Sequence, residues 1–321
     1  MKSLVINCSK DYNLGTEKIT AWLKRNGHQV TKSKPGNTEF VGYDKVFLSA
    51  IYTWDLPILV KEAQKAINHT KVEIGGPAAS VMPDYIFTET GIKSVFGLDD
   101  RFDLEPARYL SAYTSRGCIR NCEFCSVPIV EGKLREIPDF TPASYILDAN
   151  ILACSKSHIE KACEKLSSLP FVDFLHGLDA RLLESWQVEL FLKKLQMVVW
   201  RFTFDSLRHE AELKNALRIL KHYGIKPKEK MIVYCLYGFK DTPKDAYERA
   251  KQVISLGAHP YAMRFQPMDA LAKDRHIPDG WDANSLIEFG EFCNKPTLAW
   301  LYSLLRQYSK FLKSSSNSVC L

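Results

Sequence analysis

The sequence predicts an α/β protein in which a small Rossmann-like parallel α/β domain precedes a partial, TIM-like (β/α)6 barrel. Short apolar runs alternate with helical-period segments along nearly the whole chain, and six strand candidates follow residue 106. The length, 321 residues, is about twice that of a typical domain, which suits one large barrel or two unequal units. Apolar residues make up 46% and charged residues 25%, values that exclude a disordered or fibrous chain. The longest apolar runs, Val46–Ile51 and Met231–Leu236, fall far short of the ~20 residues a bilayer span needs. The opening MKSLVINCSKDYN turns polar too early for a signal peptide, so a soluble cytoplasmic protein with no membrane partner is expected.

The elements follow in order. Leu4-Val5-Ile6 reads as a buried strand, and Ile19, Trp22 and Leu23 then share a helical face closed by Asn26-Gly27. Val46–Ala50 is a second strand. Asp55 is a candidate N-cap, with Pro57 in the first turn, for a helix carrying Leu59, Val60, Ala63 and Ile67. Lys71–Pro77 reads as a strand with a tight glycine turn, and the irregular stretch from Ala78 to Pro106 as the interdomain connection. The expected domains are 1–104, 105–292 and a C-terminal helix and tail, 293–321. Strand candidates in the barrel are Tyr109–Thr114, Tyr145–Leu152, Phe171–Leu175, Met197–Phe204, Lys230–Leu236 and Tyr261–Gln266. Helices place Leu213, Ala216, Leu217 and Leu220 on one face before Gly224, and run from Thr242-Pro243 to Gly257. Pro128–Ser144 lacks periodicity, so the first barrel helix is short or missing. Thr297–Leu312, with Leu298, Leu301, Leu304, Leu305 and Tyr308 on one face, reads as a helix packed on the barrel.

Chemistry enters at AYTSRGCIRNCEFCSVP, where Cys118, Cys122 and Cys125 have the spacing C-x3-C-x2-C directly after a strand. With nine cysteines in the chain, this spacing arises by chance in about one per cent of such sequences. Catalytic loops of βα barrels lie at the C-terminal ends of strands, where this loop begins. Three thiolates suit iron–sulfur ligation, whereas structural zinc normally takes four protein ligands and the loop offers no fourth. A 4Fe-4S cluster on three cysteines leaves one iron open for chemistry.

The motif, with Phe124 in the aromatic position before its last cysteine, resembles that of the radical S-adenosylmethionine (SAM) superfamily, over roughly Lys45–Asp269. The α/β layer before the barrel is similar to that of members with an N-terminal cobalamin-binding-like domain. ILDANILAC, GLDARL and YCLYGFKDT resemble segments of poorly characterised members of that group. The resemblance implies that the open iron binds the amino and carboxylate groups of SAM. An electron, from a reductant protein such as flavodoxin or ferredoxin, then cleaves the sulfonium. The 5′-deoxyadenosyl radical so formed takes a hydrogen from substrate.

SAM needs polar partners at the strand ends. Asp148 and Asn150 alternate in the second barrel strand and face one way, Asp205 follows the fourth strand at the position of ribose ligands in related barrels, and Gln266, ending the sixth, is by the resemblance a candidate near adenine. The resemblance implies that Phe124 contributes its backbone to adenine. Asp and Asn are also common turn and cap residues, which is the alternative for each. His176, Asp179 and Arg181 cluster after the third strand, either as substrate or SAM contacts or as an internal ion pair. Trp54 is either a stacking surface for a planar substrate or an interdomain packing residue. Cys235 can face the cavity or the core, and Cys320 lies in a Ser-rich tail.

Cobalamin is the less favoured cofactor. His28 and His69, the N-terminal histidines, lie outside any D-x-H-x-x-G context; DRHIPDG at Asp274–Gly280 has one residue too many; and the layer is short for a complete cobalamin fold. A vestigial domain is expected, whose loops Asn7–Leu14, Tyr52–Asp55 and Gly75–Pro77 face the barrel mouth and line a substrate cavity. A cobalamin-dependent methyltransferase is the alternative within enzymes. The alternative outside them is a metal-binding, nucleic-acid-interacting module. The net charge of +6, dispersed along the chain, tilts weakly toward an anionic substrate such as a nucleotide or nucleic acid.

Overall fold

The computed structural model describes residues 1–36, 38–103, 105 and 111–312. Four parallel strands open the chain: β1 (Lys2–Asn7), β2 (Gln29–Ser33), β3 (Lys45–Ser49) and β4 (Lys71–Gly75), in the order β2-β1-β3-β4. β1 and β3 are central and buried on both faces, which is why they read as unbroken apolar runs. β2 is an edge strand with the sequence QVTKS and little burial, so it carries no apolar signal and is absent from the sequence reading. The helix Leu14–Arg25 starts at Asn13, whose side chain accepts from Thr16 N at 3.3 Å, and ends at Asn26-Gly27 with Gly27 at φ +77°. Pro57 sits in the first turn of the helix Leu56–Ala66. Asp55 does not cap that helix through its side chain; its carboxylate instead accepts from Ser9 Oγ at 2.5 Å. Strand order reverses between β1 and β3, and a crevice forms outside their carboxyl ends at such a point.

The second part contains β5 (Ser111–Ala112), the antiparallel pair β6 (Ser115–Arg116) and β7 (Arg135–Glu136), then β8 (Tyr145–Ile146), β9 (Asp173–Phe174), β10 (Trp200–Thr203), β11 (Met231–Tyr237) and β12 (His259–Arg264). Two parallel sheets, β5-β8-β9 and β10-β11-β12, are linked by the bridges Val172–Met197 and Leu178–Phe202. Among the described residues no pairing joins β12 to β5. The expected strand Tyr145–Leu152 is cut to two residues, because Asp148 turns to bond Thr114 and Ser115 and a 3-10 turn, Ile151–Ala153, follows. Residues 109 and 110 of the first expected barrel strand lie outside the described residues.

The helices Glu210–His222 and Pro243–Ser255 form as expected, the second with a capping box between Thr242 and Asp245. Only the short helix Val127–Val130 stands in the expected gap after the cysteine loop. The last helix starts at Ala283, not Thr297, and runs to Leu312 through Pro296, burying Leu286, Phe289, Cys293, Thr297 and Leu301. The side chains of Leu304, Leu305 and Tyr308, and Cys320, lie outside what is described. Among the described residues no helix is long and apolar enough to cross a membrane.

Candidate functional site

The cysteine loop leaves β6 at Arg116-Gly117. Gly117 has φ +76°, and a Cβ there would stand 2.3 Å from the Lys133 carbonyl oxygen, so only glycine lets the loop pass beside Lys133. Cys118 N donates to Gly132 O at 3.4 Å and Cys125 N to Cys122 O at 3.0 Å. Burial raises the pKa of Cys122, opposed by Arg181 and Arg120, and burial also raises that of Cys125. All three thiols are free and half-buried. Among the described residues no group of three or more His, Cys, Asp or Glu side chains is gathered closely enough to hold a metal ion.

Two groups reach the Cys118 sulfur, and an ion pair stands behind them. Arg120 N donates to Cys118 Sγ at 3.3 Å, and Asn150 Nδ2 lies 3.8 Å from the same sulfur. Asn150 Nδ2 also donates to Asp179 Oδ2 at 3.2 Å, while Asn150 Oδ1 is buried without a hydrogen-bond partner. Asp179 accepts from Arg120 Nε at 3.2 Å and from Arg181 Nε at 2.6 Å and Nη2 at 3.0 Å. Burial pushes the Asp179 carboxyl up, but Arg181 and Arg120 outweigh it and hold the pKa below the ordinary value. The ion-pair alternative for Asp179 and Arg181 is thus realised, and the pair stands against the thiol loop. Asp205, whose pKa burial raises, accepts from Leu236 N at 3.3 Å and interacts electrostatically with Arg181 and Cys122.

Other residues expected as contacts have protein partners of their own through their side chains. Asp148 accepts from Thr114 N at 2.6 Å, from Thr114 Oγ1 and from Ser115 Oγ at 2.9 Å, so it anchors the strand that feeds the cysteine loop. Gln266 uses both its amide nitrogen (2.9 Å) and its amide oxygen (3.1 Å) on Asp274. Phe124 packs edge-on against Phe239, which meets Phe265. Cys235 is wholly buried in the core and does not face the cavity. Trp54 does not line the large cavity; it stacks on Tyr52 at 4.6 Å with the Lys273 ammonium over its ring, and the neighbouring Thr53 bonds Ala270 O at 2.7 Å. That favours its packing role.

A cavity of about 620 Å³ separates the two parts of the chain. Asp11–Leu14, Tyr52 and Gly75–Pro77 line it from the N-terminal sheet, and Ser111, Tyr145, Leu147 and His176 from the barrel strand ends, beside Ser126 and Val127 of the cysteine loop. Of the three expected loops, Asp11–Leu14 and Gly75–Pro77 line the cavity but only Tyr52 of Tyr52–Asp55 does, and the barrel side reaches Ser126 and Val127 rather than the cysteines themselves. One wall carries a network that the sequence did not reveal. Asp103 receives Arg116 Nη2 at 2.5 Å and Arg135 Nη2 at 2.8 Å and lies 3.7 Å from Lys18 Nζ, while Glu131 accepts from Arg116 at 3.2 Å and from Gly117 N at 2.8 Å. Burial, with Arg116 nearby, holds the Lys18 ammonium down at about 8 despite Asp103. The local signal was Arg116, two residues before the first cysteine; its partner Asp103 is distant in sequence.

No family model matches the chain, and no curated protein matches it. Among solved structures it is similar to the cobalamin-dependent S-adenosylmethionine radical enzyme OxsB, determined with aqua-cobalamin and S-adenosylmethionine bound. The TM-score is 0.52 at 13% identity, over 94% of this chain and 56% of that one. The chain thus spans a little over half the length of that structure. At this identity the likeness concerns the fold, an α/β architecture shared with a radical SAM enzyme, and assigns no residue a role.

Proposed function

We propose that the protein is a radical SAM enzyme that binds a 4Fe-4S cluster through Cys118, Cys122 and Cys125 and cleaves SAM reductively to modify a substrate. The observation that carries the reading is the meeting of the three-cysteine loop with Asn150, whose amide nitrogen lies 3.8 Å from Cys118 Sγ and whose buried Oδ1 lacks a partner. A buried acceptor left unpaired costs about 1–3 kcal/mol, and an ammonium donor such as the SAM amino group would satisfy it. The donor set suits the group: three thiols, no fourth ligand in the loop, and soft ligation.

When bound, the cluster supplies the electron that breaks the sulfonium bond. The chain's own residues hold and orient. Asp148 ties Thr114 and Ser115 down and so sets the start of the loop; Asp179 fixes Arg120 and Arg181 beside the thiols; Asp205 offers a carboxylate oxygen for a ribose hydroxyl. Six parallel strands in sequence order support reading the second part as an open barrel within 105–292, with 1–104 as its cap and 293–321 as a C-terminal extension. A small reductant protein such as a flavodoxin or ferredoxin is the electron donor this reading requires.

A second reading keeps cobalamin in the cavity. Its support is the similarity to an enzyme solved with aqua-cobalamin, together with a cavity at the β1/β3 reversal. A cobalamin absorption band after reconstitution separates the two.

Anaerobic reconstitution with iron and sulfide tests the cluster itself. The expected result is about four irons and four sulfides per chain, abolished by Cys118→Ala. Stoichiometric zinc indifferent to that substitution overturns the proposal.

A further inference from the structure

We infer that Glu131 is a positioning residue for the cysteine loop: its carboxylate clamps the start of the loop to its end, and its charge sets how readily a cluster on Cys118, Cys122 and Cys125 accepts an electron. The inference rests on the reading of this loop as a cluster site and deepens it.

The loop is an excursion from an antiparallel pair. β6 and β7 close its base through the pairs Ser115–Glu136 and Arg116–Arg135. Above that base Cys118 N reaches Gly132 O only at 3.4 Å, a weak bond. Between these two ties Gly117 N donates to Glu131 Oε2 at 2.8 Å, the shorter contact and one to a charged acceptor. Glu131 is itself fixed at the C-terminal end of the helix Val127–Val130, where its N–H bonds Val127 O at 2.8 Å. The two limbs can approach this closely because position 117 carries no Cβ, which would stand 2.6 Å from the Gly132 carbonyl oxygen. A side chain near the end of the loop thus holds the residue next to its first cysteine.

Pairing with Arg116 does not account for Glu131. Arg116 gives Asp103 Oδ1 two nitrogens, Nη2 at 2.5 Å and Nε at 3.1 Å, and reaches Glu131 Oε1 with the third at 3.2 Å. Asp103 is the closer carboxylate, so the tighter contact of Glu131 is the one to the loop backbone. Its charge acts in the same place. The side chain of Glu131 is 10% exposed, and water screens it little. At the entry to the loop, three cations, Lys18, Arg116 and Arg135, face two carboxylates, Asp103 and Glu131. Neutralising Glu131 leaves three cations against one. A cluster becomes more negative when reduced, so added positive charge beside the residue that precedes Cys118 favours the reduced form.

The test has two arms on the full chain. Amide hydrogen exchange of the protein without iron, read by mass spectrometry over residues 117–125, measures the clamp. Glu131→Ala should speed exchange there about ten- to hundredfold, the loss of a hydrogen bond to a charged acceptor. Glu131→Gln, whose side-chain carbonyl still accepts from Gly117 N, should stay within about tenfold of the parent. The helix Glu210–His222 should exchange alike in all three. A redox titration followed by electron paramagnetic resonance, after reconstitution with iron and sulfide, measures the charge: Glu131→Gln should have a less negative midpoint than the parent at the same iron content per chain. Exchange in Glu131→Ala that is unchanged, or that rises equally in Glu210–His222, overturns the clamp. A Glu131→Gln midpoint equal to the parent's or more negative overturns the charge role. A parent that takes up no cluster instead overturns the radical SAM reading, and the exchange arm still decides the clamp.

Discussion

Asn150 donates its side-chain amide to the Asp179 carboxylate at 3.2 Å, joining the loop after β8 to the loop after β9 directly beside Cys118. Two strand ends are thereby locked together at the thiol loop, and the other end of the same amide, Oδ1, is left as a buried acceptor without a partner. A residue that is both brace and open acceptor makes separable predictions.

Asn150→Ala should weaken SAM binding about tenfold, the loss of one to two hydrogen bonds, while iron content after reconstitution stays near that of the parent. Isothermal titration with SAM and an iron assay on the same preparation decide it. Unchanged affinity removes Asn150 from the SAM site.

Asp205→Ala removes the carboxylate assigned to a ribose hydroxyl. A hydrogen bond to a charged acceptor contributes about 1.5–3 kcal/mol, so SAM affinity should fall about ten- to hundredfold. Reduced parent protein given SAM should meanwhile form 5′-deoxyadenosine slowly without added substrate, detectable by chromatography. Absence of that product from a fully reconstituted protein counts against the radical reading.

Gly117→Ala should lower both stability and cluster content. Its Cβ would meet the Lys133 carbonyl at 2.3 Å, a backbone clash that must move the β6–β7 pair or the loop carrying Cys118. Gly224→Ala is the control: φ is +76° there too, but nothing lies within 4 Å, so it should cost only the ~1 kcal/mol of left-handed strain. Urea melts and iron assays on both variants check the contrast.

The Asp103 network should show in the pH dependence of stability. Burial raises this carboxyl, yet Arg116, Lys18 and Arg135 together hold it below its ordinary value. A depressed folded pKa adds stability that is fully present above the unfolded value, about 3.9, and is lost as pH falls through the folded value. Asp103→Asn should thus cost about 3–5 kcal/mol at neutral pH, because cations are left buried without their partner. The gap from the parent should narrow as pH drops below about 4. Denaturant unfolding at several pH values measures it; a constant gap would mean that the side chain contributes by shape alone.

What the sequence determined by itself is local. Cys118, Cys122 and Cys125 stand out by their spacing, β1 and β3 by continuous burial, and the helices Glu210–His222 and Pro243–Ser255 by their period and caps. Tertiary structure alone decided which polar strand-end residues remain available. Asp148 and Asn150 are equivalent in sequence, two apart and facing alike, yet Thr114 and Ser115 saturate the first while the second keeps a bare oxygen. Gln266 looked free until Asp274, at φ +61°, folded back onto it. The buried ion-pair network also belongs to the fold: Lys18, Asp103, Arg116 and Arg135 come from separate segments, and their charges pair only once the N-terminal part meets the barrel strands. Spacing encodes short-range geometry, whereas hydrogen-bond competition and summed electrostatic fields depend on which distant groups arrive, and that is settled by packing.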